Sequence, residues 1–337
     1  RMSTQPALSE NELCPPELLA DQEAAFARDV ARLLSRSAEF VEVACPACGG
    51  RSATAAFEKW GFRWRLCADC ATRYMSPRPS ESVMADYYRD SDNYRIWAER
   101  IFPASEEARR EKVHRPWLER IVGLAERHGV PTGTLVEVGP GFGTFASLAA
   151  GSGAFGRVVA VEPTPQLAEA CRARGVEVVE RRVEDAGAEM PRPDVLVAFE
   201  VIEHLFAPRR FVEGCARAMA PGSLLVLSCP NGEGFDIATL GAGSLAVDPE
   251  HVNLFTPDSL ERLVSEAGFK PVWRGTPGRL DAEFVREAAL RGEIALDDQP
   301  LLRRVLIDEW ERLGAPFQAF LADNGLSSHM WMAARRV

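Results

Sequence analysis

Residues 134–144 read Thr134-Leu135-Val136-Glu137-Val138-Gly139-Pro140-Gly141-Phe142-Gly143-Thr144. A short apolar run enters three glycines at alternate positions, and a helix is expected to begin near Gly143. Glycine lets the backbone turn left-handed and approach a ligand closely, and a helix that follows presents its free N–H groups there. Apolar runs recur on either side, so strands are expected at Leu135–Val138, Arg157–Val161, Val176–Val179, Val195–Phe199, Leu224–Ser228, Lys270–Trp273 and His329–Ala334. Helices are expected between them, starting near Gly143, Thr164, Pro208 and Thr256. The last has Thr256 as cap, Pro257 in the first turn and Gly268 just past the end. Strand and helix in alternation mean an α/β, doubly wound sheet of seven strands.

The rest of the chain is organised around that sheet. Of 337 residues, 46% are hydrophobic and 26% charged, the proportions of a globular protein. There are 39 basic and 49 acidic residues, a net charge of −10, so neither nucleic acid nor an anionic membrane is expected as a partner. No apolar stretch approaches 20 residues and no signal-peptide profile precedes the first helix, which points to the cytoplasm. Arg1, ahead of Met2, is read as an appended residue. Residues 1–40 carry Leu18, Leu19, Ala25, Phe26, Val30, Leu33 and Leu34 at helical spacing, a helical arm that packs on the body or on a second copy in a homo-oligomer.

Of eight cysteines, four form two Cys-x-x-Cys pairs, Cys45/Cys48 and Cys67/Cys70, with 18 residues between them. Two thiolate pairs close a tetrahedral zinc site with no open position, so residues 41–78 are expected to be a small module held by structural zinc. The stretch Ser76-Pro77-Arg78-Pro79-Ser80 reads as a stiff linker. Residues 79–130 read as a helical cap, in which Tyr88, Tyr94 and Trp97 either line a pocket or pack as a helix face. The sheet then occupies 131–337, with a helical insertion at 278–325 and a glycine-spaced, mobile loop at 231–253. His114, His128 and His329 carry no expectation of function.

In an open parallel sheet, ligands collect at the carboxyl ends of the strands. Glu162 is expected at the end of the second strand, where it can accept both hydroxyls of a ribose. A dinucleotide fingerprint would need Gly or Ala at Thr144. The loop Glu137-Val138-Gly139-Pro140-Gly141-Phe142-Gly143 instead resembles the first motif of class I S-adenosylmethionine-dependent methyltransferases. Val159–Pro163 resembles the family's ribose motif, and Val183-Glu184-Asp185 falls where adenine is held, although Arg182 departs from the usual acidic residue. Phe199–Leu205, Leu224–Asn231, Phe255–Leu260 and Ala267–Phe269 complete a likeness over about 131–337. The resemblance implies a Rossmann-like fold and S-adenosylmethionine as cofactor, with Glu137, Gly139, Gly141, Phe142, Gly143, Glu162, Pro163, Val183, Glu184, Phe199 and Glu200 around it. The cysteine module, Met75–Pro79 and Tyr87-Tyr88 together resemble the front end of bacterial sugar and natural-product methyltransferases.

The acceptor chemistry is expected after the fourth strand. Glu200, Glu203 and His204 stand at i, i+3 and i+4, which one helical turn sets on one face, and His251 arrives from a separate loop. Glu200-x-x-Glu203-His204 is similar to the pattern in ubiquinone-biosynthesis O-methyltransferases and small-RNA 2′-O-methyltransferases, where it binds a metal that activates a hydroxyl. Three readings stand side by side: a divalent cation on Glu200, Glu203, His204 and His251; His204 or His251 as a direct base, with Glu203 beside it; or a structural role. The expected reaction is methyl transfer to a small polar acceptor, a hydroxyl of a sugar or natural product first. Carbon or nitrogen transfer, a non-methylating lyase or cyclase, and a non-catalytic binding partner are the alternatives.

Overall fold

The structure is a computed structural model and describes residues 8–337. Residues 1–7 of the expected arm, Arg1 included, lie outside the described residues. The main sheet comprises β1 (Thr134–Val138), β2 (Arg157–Val161), β3 (Glu177–Val179), β4 (Val195–Phe199), β5 (Leu224–Pro230), β6 (Phe269–Gly275) and β7 (His329–Arg336). Its order is β3-β2-β1-β4-β5-β7-β6, with β7 antiparallel to both neighbours and the β3-to-β5 half parallel. This is the expected doubly wound, Rossmann-like sheet of seven strands. Strand order reverses between β1 and β4, which opens a crevice at their carboxyl ends.

The sheet is apolar on both faces because helices cover both. Leu135, Val195, Val197, Leu224 and Val226 pack with Phe145 and Ala149 on one face. Val136, Val138, Leu196, Ala198, Leu225 and Leu227 pack with Phe211, Leu260 and Leu263 on the other. Burial of each of these valine, leucine and phenylalanine side chains contributes roughly 1.5–3 kcal/mol. The helix Pro257–Glu266 starts as expected: Thr256 Oγ1 accepts from the Ser259 amide at 3.1 Å, and Gly268 follows the end at φ +87°.

The expected zinc module does not close on itself. Its strands Ala53–Lys59, Phe62–Cys67 and Arg73–Met75 form an antiparallel sheet whose fourth strand is Asn253–Leu254, from the other side of the chain. The 231–253 stretch is accordingly packed, where the sequence suggested a mobile loop. It contains the helix Phe235–Leu240, and Asp236, Ser244, Val247, Val252 and Asn253 are buried. The insertion is helical as expected (Asp281–Leu290, Pro300–Arg303, Trp310–Asp323), and its Val285, Leu306 and Leu321 form a small core against Phe235 and Leu240. No helix among the described residues is long and apolar enough to cross a membrane.

The arm's long helix, Pro16–Ser35, turns Ala25, Val30 and Leu33 inward. Val30 and Leu33 meet Phe62, Trp64, Met75, Val83 and Met84, so this part of the arm packs on the body, one of the two expected placements. One buried carboxylate locks this docking. Asp29 accepts from Ser91 Oγ at 2.6 Å and from the Asn93 and Asp92 amides at 2.8 and 3.2 Å. Replacing Asp29 by Ala strands these donors, and an orphaned buried donor costs about 1–3 kcal/mol. Urea unfolding of Asp29→Ala is therefore expected to show a loss of about 2 kcal/mol; an unchanged midpoint would mean that the arm is not held this way.

Candidate active site

The chain leaves β1 through three left-handed glycines, Gly139 at φ +68°, Gly141 at +55° and Gly143 at +75°. Two of them also lack room for a side chain. A Cβ on Gly139 would lie 2.6 Å from Val201 Cγ2, and one on Gly143 would lie 2.9 Å from Cys171 Sγ. The helix Thr144–Ser152 follows directly. Glu137 is buried beneath the loop, with Oε2 lacking any partner. Burial pushes its carboxyl up to about 8, against the opposing pull of the Ala146 amide. Glu162, at the end of β2, accepts from the Thr164 amide at 2.8 Å, and burial raises its carboxyl too.

The cap roofs this loop. Phe142 lies between Tyr94, stacked at 6.5 Å, and Phe102, at 4.9 Å. Two π-helical turns, Trp97–Ile101 and Arg109–His114, flank Phe102 in an otherwise helical run from Asp92 to Arg127. The remaining expected donor-site residues spread outward. Pro163 is exposed and Val183 buried. Glu184 rests its stem on Gly214, where an added Cβ would meet Glu184 Cγ at 2.9 Å. Phe199 turns its ring into the core, against Trp117 at 4.7 Å and Phe145 at 4.9 Å, so only its main chain borders the crevice.

The expected cluster after β4 divides in two. Glu200 adopts φ +53°, and Ile202–His204 then form a single 3-10 turn in place of an α-helical one, so the three side chains do not share a face. Glu200 swings toward β5 and β7. Its Oε1 accepts from Ser228 Oγ at 2.6 Å and pairs with His329 Nε2 at 2.9 Å. Burial opposes ionisation here, yet His329 and Ser228 outweigh it and hold the Glu200 carboxyl low. Glu200 is thus engaged elsewhere and does not belong with the potential ligand group, and His329, given no role from sequence, is part of the site. No local pattern marks His329; its role appears only once β7 is known to lie beside β5.

Glu203, His204 and His251 do come together, with ligand atoms within 4.8 Å of one another. The two imidazoles lie 4.8 Å apart. His204 Nδ1 faces the Glu250 carbonyl at 3.1 Å and Tyr88 Oη at 3.3 Å. His251 Nδ1 faces the Ala246 carbonyl at 2.9 Å and Asp248 Oδ2 at 3.2 Å. A ring nitrogen against a carbonyl carries a proton, so in each ring, when it is neutral, the lone pair sits on Nε2. Glu203 is fully buried and neither carboxylate oxygen has a hydrogen-bond partner; His204 Nε2 is 3.8 Å from Oε1. Burial, then the Glu200 charge, raises its carboxyl well above the usual range. Burial draws His204 down to about 3, whereas His251, despite burial, is raised by Asp248 and the Ala246 carbonyl. Tyr87 Oη donates to Glu250 Oε1 at 2.6 Å, tying the cap to the same loop.

In the cysteine module, Cys45 and Cys70 sulfurs stand 3.5 Å apart, and Cys48 and Cys67 sulfurs 3.6 Å. A tetrahedral zinc bound at about 2.3 Å needs sulfurs about 3.8 Å apart, so the four thiols fit that ion.

Residues 107–273 match the family described as "Methyltransferase domain". A Mycobacterium tuberculosis protein named "Probable S-adenosylmethionine-dependent methyltransferase" is 32% identical over 127 residues, covering 36% of this chain and 44% of the relative. The chain thus spans less than half the length of that relative. The ubiquinone biosynthesis O-methyltransferase of Xanthomonas campestris is 28% identical over 181 residues, 51% of this chain and 74% of its own. Among solved structures, an S-adenosylmethionine-dependent methyltransferase from Clostridium acetobutylicum aligns with a TM-score of 0.47 and 6% identity over 72% of this chain and 98% of that one. The family match runs from the cap through β4 and into β6, so it takes in both walls of the crevice: residues 107–273 match a methyltransferase domain and lie on the doubly wound sheet described above.

Proposed function

We propose that the protein transfers the methyl group of S-adenosylmethionine to a hydroxyl of a small polar molecule of the sugar or natural-product kind, with a divalent cation held by Glu203, His204 and His251. The observation that carries this reading is the gathering of a ligand atom from each of His204 and His251 within 4.8 Å of a buried carboxylate that has no hydrogen-bond partner. Leaving such a carboxylate unsatisfied is costly, and a cation satisfies it. The likeness to a ubiquinone biosynthesis O-methyltransferase supports the choice of oxygen as acceptor. His204 acting directly as base is the second reading, favoured by its neutral ring and free Nε2.

When bound, S-adenosylmethionine supplies a methyl group on a sulfonium, and the cation supplies positive charge that favours a deprotonated hydroxyl. The chain supplies the geometry. The turn at Gly139–Gly143 admits the donor's amino-acid end and Glu162 accepts its ribose hydroxyls. Tyr94 and Phe142 close over it and exclude water. Glu203, His204 and His251 orient the acceptor from the opposite wall, so that the displacement runs in line. Glu200 is fixed by His329 and Ser228 at the boundary between the two halves.

Cobalt(II), which absorbs in the visible when bound to nitrogen and oxygen ligands, tests the acceptor site. The wild-type protein is expected to take up one equivalent there, and Glu203→Gln and His251→Gln are expected to abolish it while S-adenosylhomocysteine still binds. Methyl transfer that survives exhaustive chelation would favour His204 as base.

The donor site has its own tests. Gly139→Ala forces a Cβ toward Val201 at a left-handed position and is expected to weaken S-adenosylhomocysteine binding by about tenfold, read by calorimetry. Glu137 titrates near 8 because burial favours its neutral form. A raised carboxyl stabilises the donor-free fold at low pH, and that contribution fades as the pH climbs through about 8. A cationic donor restores the carboxylate, so its binding is expected to release close to one proton at about pH 7 and none above about pH 9, with Glu137→Gln releasing none.

The cysteine module is proposed to hold one structural zinc on Cys45, Cys48, Cys67 and Cys70. Mercurial titration of the purified protein is expected to release one equivalent, and Cys70→Ser to lower both zinc content and the unfolding midpoint.

A further inference from the structure

Arg78 is 1% exposed, the one buried arginine or lysine among the described residues, and no carboxylate pairs with it. Its partners are oxygens of three separate segments. Nε donates to the Met75 carbonyl at 3.0 Å, Nη1 to Asn253 Oδ1 at 3.0 Å and to the Phe206 carbonyl at 3.3 Å, and Nη2 to the Val252 carbonyl at 3.4 Å. Asn253, also 1% exposed, extends the chain of contacts. Its Nδ2 donates to the carbonyls of Leu205 at 2.8 Å, Ile202 at 3.2 Å and Glu203 at 3.4 Å. These carbonyls bracket His204 on one side, and Val252 adjoins His251 on the other. The cysteine-module sheet completes the attachment: the Met75 amide donates to the Val252 carbonyl at 2.9 Å, and Trp64 Nε1 to the His251 carbonyl at 3.3 Å.

A buried cation among neutral carbonyls is a poor choice for stability alone, since an apolar side chain of similar size would avoid the desolvation. Its planar fork of donors does what an apolar residue cannot, fixing the distance between several backbone segments at once. We propose that Arg78 and Asn253 are positioning residues, a clamp that sets the spacing and orientation of His204 and His251 by tying the 202–206 turn and the 250–253 loop to the strand Arg73–Met75. The catalytic meaning of that spacing rests on the proposed acceptor site; the clamp itself does not.

The experiment compares wild type with Arg78→Gln and Asn253→Asp in the full chain. Imidazole nitrogen–proton correlation spectra, assigned with His204→Gln and His251→Gln, report ring tautomer and environment. S-adenosylhomocysteine binding by calorimetry reports the other wall of the crevice. Arg78→Gln is expected to shift and broaden the signals of both histidines while donor-site affinity stays within about twofold of wild type, as for distant, independent sites. Asn253→Asp keeps an oxygen for Arg78 but loses the three donations to the 202–205 turn, and is expected to move His204 more than His251. Arg78→Lys, which keeps the charge without the fork, is expected to recover little. Unchanged imidazole signals in Arg78→Gln and Asn253→Asp would overturn the clamp, as would donor-site affinity falling in step with the imidazole changes. If Arg78→Gln does not fold, Asn253→Asp decides alone. A wild-type chain that ignores S-adenosylhomocysteine would defeat the proposed function, while the imidazole comparison would still judge the clamp.

Discussion

Two adjacent parallel strands, β1 and β4, must part at their carboxyl ends, and the left-handed residues that let them do so organise the rest of the molecule. On β1 the turn is made by glycines, because Val201 and Cys171 crowd two of the positions where a side chain would sit. On β4 it is made by Glu200 at φ +53°, a conformation that costs a non-glycine residue energy and that persists only where its surroundings hold it. Here the Ser228 carbonyl receives the Glu200 amide at 3.1 Å, and Ser228 Oγ and His329 hold the carboxylate. The strain is local to the crevice, and it is what separates Glu200 from Glu203.

That separation gives the crevice two electrostatic characters. On the side of the glycine turn, Glu137 and Glu162 are buried carboxyls that burial raises. On the other side, Glu203 competes with Glu200 for ionisation, and beside it stand the rings of His204 and His251, each with Nδ1 against a carbonyl. Glu137 and Glu203 are the two carboxyls here with an oxygen left unpartnered. The cap reaches both halves, since Tyr94 stacks on Phe142 of the glycine loop and Tyr87 and Tyr88 reach Glu250 and His204 opposite.

What the sequence revealed follows from how local each signal is. The seven strands, the glycine turn, the capped helix at Thr256 and the thiol pairs depend on neighbours a few residues apart, and all were legible. The grouping of His251 with Glu203 and His204 came through a family likeness. The exclusion of Glu200 was hidden, because helical spacing presumed an α-turn where a left-handed residue and a 3-10 turn occur. His329 was hidden for a topological reason: its meaning depends on β7 being inserted between β5 and β6. Arg78 looked like linker because Pro77 and Pro79 surround it, and nothing nearby in the chain reveals that its partners are at 206, 252 and 253.

The shared sheet of the cysteine module has a consequence for how the chain assembles. Its first three strands leave the ribosome early, but the edge at Arg73–Met75 stays uncovered until Asn253 and Leu254 have been made. Throughout that interval the nascent protein carries an unpaired strand edge and four thiols, the conditions under which stray pairing and oxidation compete with folding. A metal ion captured early by those thiols would hold the first strands in register and guard them chemically during the wait.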